Sequence, residues 1–220
     1  MLSGNLSRKS DEGSYAPFHF IPYSGRFMKT FRSLLLASCA VFACSVARAT
    51  TVIPPTFDQL VSQAELIFQG TVTDVASQWT GEGAQRCIVT FVTFQVDEQI
   101  KGDAGASYTI RLLGGTVGDQ TMEVTDSPKF ARGDRDILFV ENNGRQFVPL
   151  VGIMHGRFRV QHDGRTGQEI VASDHDGAVT DLAKLGKEDA ASHSDSASEE
   201  PLSTADFKAA IRAKLGLSAK

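Results

Sequence analysis

The chain has 220 residues, of which 41% are hydrophobic, with 22 Lys and Arg against 26 Asp and Glu. Removal of residues 1–49, for reasons given below, leaves 171 residues with 16 basic and 24 acidic side chains. That length suits one domain with a tail and is enough to bury a hydrophobic core. A net charge near −8 argues against nucleic acids and anionic membrane surfaces as partners.

Residues 28–49 have the layout of a secretory signal peptide. Met28 to Arg32 is a short basic region, Ser33 to Val46 is apolar, and Ala47-Arg48-Ala49 is a small-x-small cleavage site. The apolar run is shorter than the ~20 residues that a membrane-spanning helix needs. We therefore predict cleavage between Ala49 and Thr50, export to the periplasm or the medium, and no membrane attachment afterwards.

Two alternatives to this processing remain open. Residues 1–27 are polar and have no apolar periodicity, so translation from Met28 with a mis-annotated or disordered leader is favoured over a longer regulated leader. Leu36-Ala37-Ser38-Cys39 has the residue types of a lipoprotein cleavage site, with Cys39 as the lipid acceptor. However, the apolar run continues past Cys39, where a lipoprotein usually becomes polar.

Cleavage would remove Cys39 and Cys44 and leave Cys87 as the one remaining cysteine. A disulfide within the mature chain is then impossible, although the compartment would permit one. Cys87 lies in a strand pattern, which favours a small buried hydrophobe over a reactive thiol.

The pattern of elements predicts an all-β domain over residues 50–172, preceded by one short helix. Thr56 and Gln59 form a capping box, and the helix runs from Phe57 to Ala64. Turn signals recur every 8–12 residues, as in a barrel or sandwich, and hairpins are expected around 142–144 and 162–167. The predicted strands are Leu66–Val75, Arg86–Ile100, Tyr108–Leu112, Thr121–Val124, Ile137–Val140, Arg145–Val151, Gly156–Gln161 and Gln168–Ala172.

The composition changes after Ala172. Residues 173–202 are rich in Ser, Ala, Asp and Glu, which predicts a mostly disordered acidic linker. Residues 203–217 form an amphipathic helix with Phe207, Ile211 and Leu215 on one face, able to dock on the domain or on a partner. Because the strand pattern ends at Ala172, we expect the domain to fold without this tail.

The order of these pieces resembles a family of uncharacterised bacterial exported proteins. The matching segments are 64–72, 89–96, Lys101-Gly102, 114–118, and Phe130 and Gly133 before 137–139. They also resemble, faintly, the netrin-like modules of the tissue inhibitors of metalloproteinases. That resemblance implies a small barrel of the oligonucleotide/oligosaccharide-binding (OB) type. It supports inhibition less, because those inhibitors present an N-terminal cysteine and the mature chain here would begin with Thr50.

The candidate partner-binding residues fall into two groups. One group is the new N-terminus, Thr50, Thr51 and Val52. The other is the glycine-rich loop formed by Gly114, Gly115, Thr116 and Val117. This loop lacks the Gly-Lys-Ser/Thr end of a phosphate-binding loop and is more typical of a wide turn between strands.

No residue pattern predicts a catalytic site, a metal site or a cofactor. His155, His162 and His175 lack ligand spacing and are interpreted as loop histidines. Asp174 to Gly177 matches only a fragment of a calcium loop. Arg132-Gly133-Asp134 is interpreted as a turn before a strand rather than as an adhesion motif.

These observations favour an exported, non-enzymatic domain that binds a protein. A secreted metalloprotease is the specific partner class that the netrin-like resemblance implies. The alternative is an exported hydrolase whose active-site residues are scattered across loops. The oligomeric state is not determined by the sequence.

Overall fold

The structure is a computed structural model that describes residues 53–174, 177–187 and 200–217. These residues form a seven-stranded antiparallel sheet, a separate two-stranded hairpin and a short helix near each end. The strands are β1 (Leu66–Thr80), β2 (Cys87–Lys101), β3 (Ser107–Leu113), β4 (Gly115–Val117), β5 (Gln120–Met122), β6 (Arg135–Val140), β7 (Arg157–His162), β8 (Glu169–Ser173) and β9 (Gly177–Ala178). The helices are α1 (Phe57–Gln63) and α2 (Thr204–Lys214). No helix within the described ranges is both long and apolar enough to cross a membrane.

The capping box predicted for α1 is confirmed. The Gln59 amide donates to Thr56 Oγ1 at 3.3 Å, and the Thr56 amide donates to Gln59 Oε1 at 2.9 Å. These bonds satisfy two amides that have no partner inside the helix. Leu60 and Val61 follow on the buried side, so the cap fixes where the apolar face of α1 begins.

The seven-stranded sheet has the order β3-β2-β1-β6-β7-β8-β9. β1 and β2 have 15 residues each and pair with one another through three register shifts. Such irregularities bend a strand and increase its twist, so these two long strands coil rather than lie flat. The second predicted hairpin is confirmed by the pairing of β7 with β8.

Apolar side chains fill both faces of the sheet, and the alternation along β6 divides them into two clusters. Ile137 and Phe139 point to one face, and Leu138 and Val140 point to the other. The helix-side cluster consists of Leu60, Val61, Ala64, Ile67, Ile100, Ile137, Phe139, Val151, Phe158, Val171, Val179, Phe207 and Ile211. The strand-side cluster consists of Leu66, Phe68, Val72, Val92, Phe94, Ala104, Ile110, Leu112, Leu138, Val140, Val148 and Leu150.

The predicted closed barrel is not found among the described residues. β3 pairs only with β2, and the gap between β3 and β6 is spanned by the loop after β6. In that loop the side-chain Nδ2 of Asn143 donates to the Thr109 carbonyl at 2.8 Å. The backbone carbonyl of Phe147 accepts from the Leu113 backbone amide at 2.7 Å. A loop with scattered hydrogen bonds therefore takes the place of the ladder that would close a barrel.

Two local predictions also differ from the structure. Residues 145–151 do not form a strand, because only Leu150 bridges to Val140 and Pro149 has no amide to donate. The glycine-rich segment is not a plain loop, because Gly115–Val117 is β4 of a short hairpin with β5.

The segment expected to be a disordered linker makes core contacts in its described part. β9 pairs with β8, Val179 is buried, and Leu182 and Leu185 pack against the helix-side cluster. Residues 188–199 lie outside the described residues, so disorder there stays a prediction.

The C-terminal helix docks on the sheet of its own chain, which decides between the two alternatives left open above. Phe207 and Ile211 of α2 are fully buried in the helix-side cluster. The structure therefore does not support independent folding of residues 50–172, since removal of α2 would leave this apolar surface uncovered.

Candidate functional site

The β4–β5 hairpin holds three of the predicted partner-binding residues, Gly115, Thr116 and Val117, and the fourth, Gly114, directly precedes it. The hairpin lies over one face of the β1–β2 pair, where a Cβ on Gly115 would come within 2.5 Å of Ser77 Oγ and 2.2 Å of Thr90 Oγ1. Thr90 Oγ1 also donates to the Gly114 carbonyl at 2.7 Å. Gly115 is thus required by its close approach to two hydroxyl groups, and Gly114 by its approach to the Met122 carbonyl, which a Cβ would meet at 2.8 Å.

The backbone of these glycines requires the same residue type. Gly114 has φ +96° and Gly115 has φ +134°, a region that residues with a Cβ rarely adopt. The two residues that follow are the ones able to meet a partner, because Thr116 is exposed and Val117 is half-buried.

An exposed aromatic side chain lies in the loop after β6, and its backbone is bound to the strand that leads into this hairpin. Phe147 is 70% exposed, although its carbonyl accepts a hydrogen bond from Leu113, two residues before Gly115. The ring is therefore presented to solvent from a backbone that is held in place. The strand that the sequence pattern predicts over 145–151 gives no sign of this exposure, which results from the loop conformation of the segment.

The N-terminal candidates Thr50, Thr51 and Val52 lie outside the described residues, as do Ala49 and the whole predicted signal peptide. The first described residue, Ile53, is 79% exposed. Pro55 is buried, and Gly152 leaves room for it, since a Cβ there would lie 2.7 Å from the proline ring.

A buried cluster around Arg157 was not predicted. Arg157 and Asp136 are both fully buried, and the guanidinium donates twice to the carboxylate, from Nε at 2.9 Å and from Nη2 at 3.1 Å. The same guanidinium reaches Asp134 at 2.9 Å and the Lys129 carbonyl at 2.6 Å, and it lies 4.0 Å from the Phe130 ring centroid. These contacts fasten the segment before β6 to β7.

The charges of the cluster do not balance within its buried part. Asp174 lies 3.7 Å from Arg157 Nη1, so the carboxylates of Asp134, Asp136 and Asp174 surround one buried guanidinium. A second guanidinium, that of Arg159, reaches Asp174 from the surface. Burial raises the pKa of Asp136 to about 6, although Arg157 opposes that change. Burial alone would lower the pKa of Arg157, but the carboxylates outweigh it and raise the pKa.

This geometry is that of a structural cluster rather than of a catalytic pair. Every donor of Arg157 is directed at a protein acceptor, and a buried Asp–Arg pair without access to solvent cannot reach a substrate. The sequence signal that could have located it is the Asp134-x-Asp136 repeat at the start of the buried strand β6, with an arginine on the neighbouring strand β7.

The other candidate motifs remain apart from one another. Asp134 of the Arg132-Gly133-Asp134 tripeptide is bound to Arg157, and Arg132 pairs with Asp74, so these side chains stabilise the fold. No group of three His, Cys, Asp or Glu side chains in the described ranges could hold a metal ion. Cys87 is half-buried at the start of β2, with its Sγ 3.5 Å from Thr80 Oγ1. His175 lies outside the described residues.

No protein-family model, no curated protein and no solved structure matches this chain. The resemblance to netrin-like modules therefore stays a prediction.

Proposed function

We propose that the mature chain is an exported, non-enzymatic domain that binds another protein through Phe147 and the β4–β5 hairpin. The observation that supports this most directly is the 70% exposure of Phe147 on a fixed backbone. An exposed aromatic side chain loses little conformational entropy when it is buried, and aromatic residues are enriched at the centres of protein interfaces. Thr116 and Val117 of the hairpin follow Leu113, the donor to the Phe147 carbonyl, by three and four residues along the chain.

The partner class follows from charge and from the resemblance given above. The mature chain carries about eight more acidic than basic residues, which favours a partner with a basic or neutral surface over a nucleic acid. A secreted metalloprotease, bound as an inhibitor's target, is the partner that the netrin-like resemblance suggests. The coiling of β1 to β3 and β6 around one apolar cluster supports that resemblance, with a loop in place of the closing ladder.

Export is tested by the N-terminus of the exported protein. Mass spectrometry is expected to find Thr50 as the first residue, because Ala47-Arg48-Ala49 has the pattern of a cleavage site. A lipid-modified Cys39 would instead make the protein an anchored lipoprotein.

Binding is tested by capture from periplasm and medium with purified residues 50–220. We expect a protein to be captured by the wild type and lost with Phe147→Ala, and the same dependence with that protein in purified form. Leu217→Ala is the matched control, since Leu217 is also an exposed apolar residue but lies beyond α2. Equal capture by both variants would contradict the proposed surface.

The enzymatic alternative has its own outcome in the same material. Broad hydrolase screening of the purified wild type is expected to show no turnover, and reproducible turnover would favour the hydrolase. Inhibition of a captured metalloprotease, lost with Phe147→Ala, would identify the inhibitor subtype.

A further inference from the structure

The outer edge of β1 is open over half of the strand. β1 pairs with β6 only as far as Thr71, and Val72 still exchanges hydrogen bonds with Gly133 and Asp134. Among the described residues, the only ladder partner of β1 from Thr73 to Thr80 is β2, on the other side. No described segment forms a backbone hydrogen bond with this outer edge, which is about 26 Å long at ~3.3 Å per residue.

The other two edges of the sheet are treated differently. The β3 edge is covered by the loop after β6, where the Asn143 side chain bonds both the Arg111 amide and the Thr109 carbonyl. The opposite edge, β9, has only two residues. Short or covered edges are the usual protection of a sheet against pairing with another strand. Within the described ranges, β4 packs on one face of β1 at Ser77, but no segment pairs with the β1 edge itself.

The ladder fixes which backbone groups this edge presents. The Gly114 amide donates to the Ile88 carbonyl, so Ile88 directs its backbone groups towards β3. Trp79, directly opposite Ile88, then directs its own groups outwards, and the alternation of an antiparallel pair extends this to Ser77 and Val75. Three amides and three carbonyls are thereby aligned along the open edge.

We propose that this edge pairs with the same edge of a second copy of the chain, antiparallel and centred on Ser77. In that register Ser77 lies opposite Ser77 of the other copy, and Val75 lies opposite Trp79, so all six outward groups find partners. Valine opposite an aromatic residue is a favourable cross-strand pair. Asp74 lies opposite Thr80, so the register brings no like charges face to face.

The sequence around Ser77 is what selects a second copy as the occupant. Two identical strands pair about a twofold axis only if residues equidistant from the centre suit one another. Here the residues whose backbone groups face the open edge are Val75, Ser77 and Trp79. The two apolar residues lie at equal distances on either side of Ser77. The side chains on the other face of this edge, Ala76 and Gln78, are exposed and would form the flanking pairs.

The first test is the mass of residues 50–220 by sedimentation velocity over a range of concentrations. A dimer that dissociates on dilution is expected. A monomer at every concentration up to about 100 μM would overturn the proposal, because an interface of biological size should be populated there.

The second test fixes the register by cross-linking. In a Cys87→Ser background, Ala76→Cys and Gln78→Cys proteins are mixed in equal amounts and oxidised. Ala76 and the other copy's Gln78 would form a non-hydrogen-bonded pair with Cα atoms about 4.5 Å apart, within disulfide range. Each variant alone places its cysteines on a diagonal about 7–8 Å apart, beyond easy bridging.

We expect the mixed disulfide to exceed either homodisulfide at least about fivefold, since only the mixed pair meets the geometry. A dimer without this preference would place the interface elsewhere and overturn the proposal. Phe147→Ala is expected to leave the dimer unchanged, so failure of the binding function and failure of this dimer are distinguishable.

Discussion

The two apolar clusters are covered in different ways. The strand-side cluster is enclosed by the coil of β1 to β3, by β6 and by the loop after β6, all within residues 66–150. The helix-side cluster is covered by α1 and α2, which come from opposite ends of the described chain. The first cluster therefore depends mainly on neighbouring strands, and the second depends on closing a loop of more than a hundred residues, which costs chain entropy before any contact forms.

The largest expected effect is at Phe207, the centre of the cover on the helix side. Its ring centroid lies 4.8 Å from that of Phe158, 6.0 Å from that of Phe57 and 6.2 Å from that of Phe139. Phe207→Ala is expected to lower the free energy of unfolding by ~3–5 kcal/mol in urea titrations. The control Leu217→Ala should stay within about 0.5 kcal/mol. Equal, small losses would mean that α2 is not part of the core.

The second prediction tests the open sheet on the strand side. Phe94 is fully buried and makes edge-to-face contacts with Phe68 and Phe130, whereas Phe91 is only half-buried on the other face of β2. Phe94→Ala is expected to cost ~3–5 kcal/mol of stability and Phe91→Ala about 1 kcal/mol. Full losses at both positions would instead favour the closed barrel that the sequence predicts.

The third prediction concerns Asp136, whose carboxylate faces the same side of β6 as Leu138. Because its pKa is raised from 3.8 to about 6 in the folded state, the fold binds more protons than the unfolded chain between these values. This group therefore adds stability in acid, and that stability is lost as the pH rises from about 4 to about 7, by on the order of 2 kcal/mol.

The measurement is the difference in unfolding free energy between the wild type and Asp136→Asn across that pH range. The stability of the wild type relative to Asp136→Asn should fall by on the order of 2 kcal/mol as the pH rises from about 4 to about 7, since the asparagine does not titrate. Asp163→Asn serves as the control at an exposed turn. A constant difference would show that Asp136 stays ionised throughout.

The smallest expected effect is at the start of α1, on the helix side. Thr56→Ala removes the hydroxyl that accepts from the Gln59 amide and should cost about 1 kcal/mol, as N-cap replacements usually do. Thermal unfolding followed by circular dichroism measures it. An unchanged midpoint would mean that packing alone positions α1.

Local signals in the sequence carried much of the fold. The capping box predicted the start of α1, and the turn residues 162–167 between two strand-like segments predicted the β7–β8 hairpin, because both depend on residues close together in the chain. The open sheet was not predictable in the same way. Strand patterns do not state which strands pair, and a barrel and a coiled open sheet share the same alternation.

The candidate site was less accessible to such reasoning. The pairing of Arg157 with Asp136 depends on the register of β6 and β7, which the sequence does not display. The exposure of Phe147 depends on the loop that replaces a predicted strand. The docking of α2 depends on contacts across the whole chain, and amphipathicity alone left two possible acceptors for its apolar face.

The loop that covers the β3 edge contains a site of slow spontaneous deamidation. Two of its hydrogen bonds come from the side-chain amide of Asn143, and Gly144 follows this residue. In such a sequence the Gly144 backbone nitrogen readily attacks the asparagine side-chain carbonyl and releases ammonia, and water then opens the cyclic imide to a carboxylate. The product carboxylate has no amide hydrogen to donate to the Thr109 carbonyl and would repel it. Aged protein should therefore hold this loop less firmly on β3, and peptide mapping with hydrogen exchange at Arg111 would show whether modification and loosening proceed together.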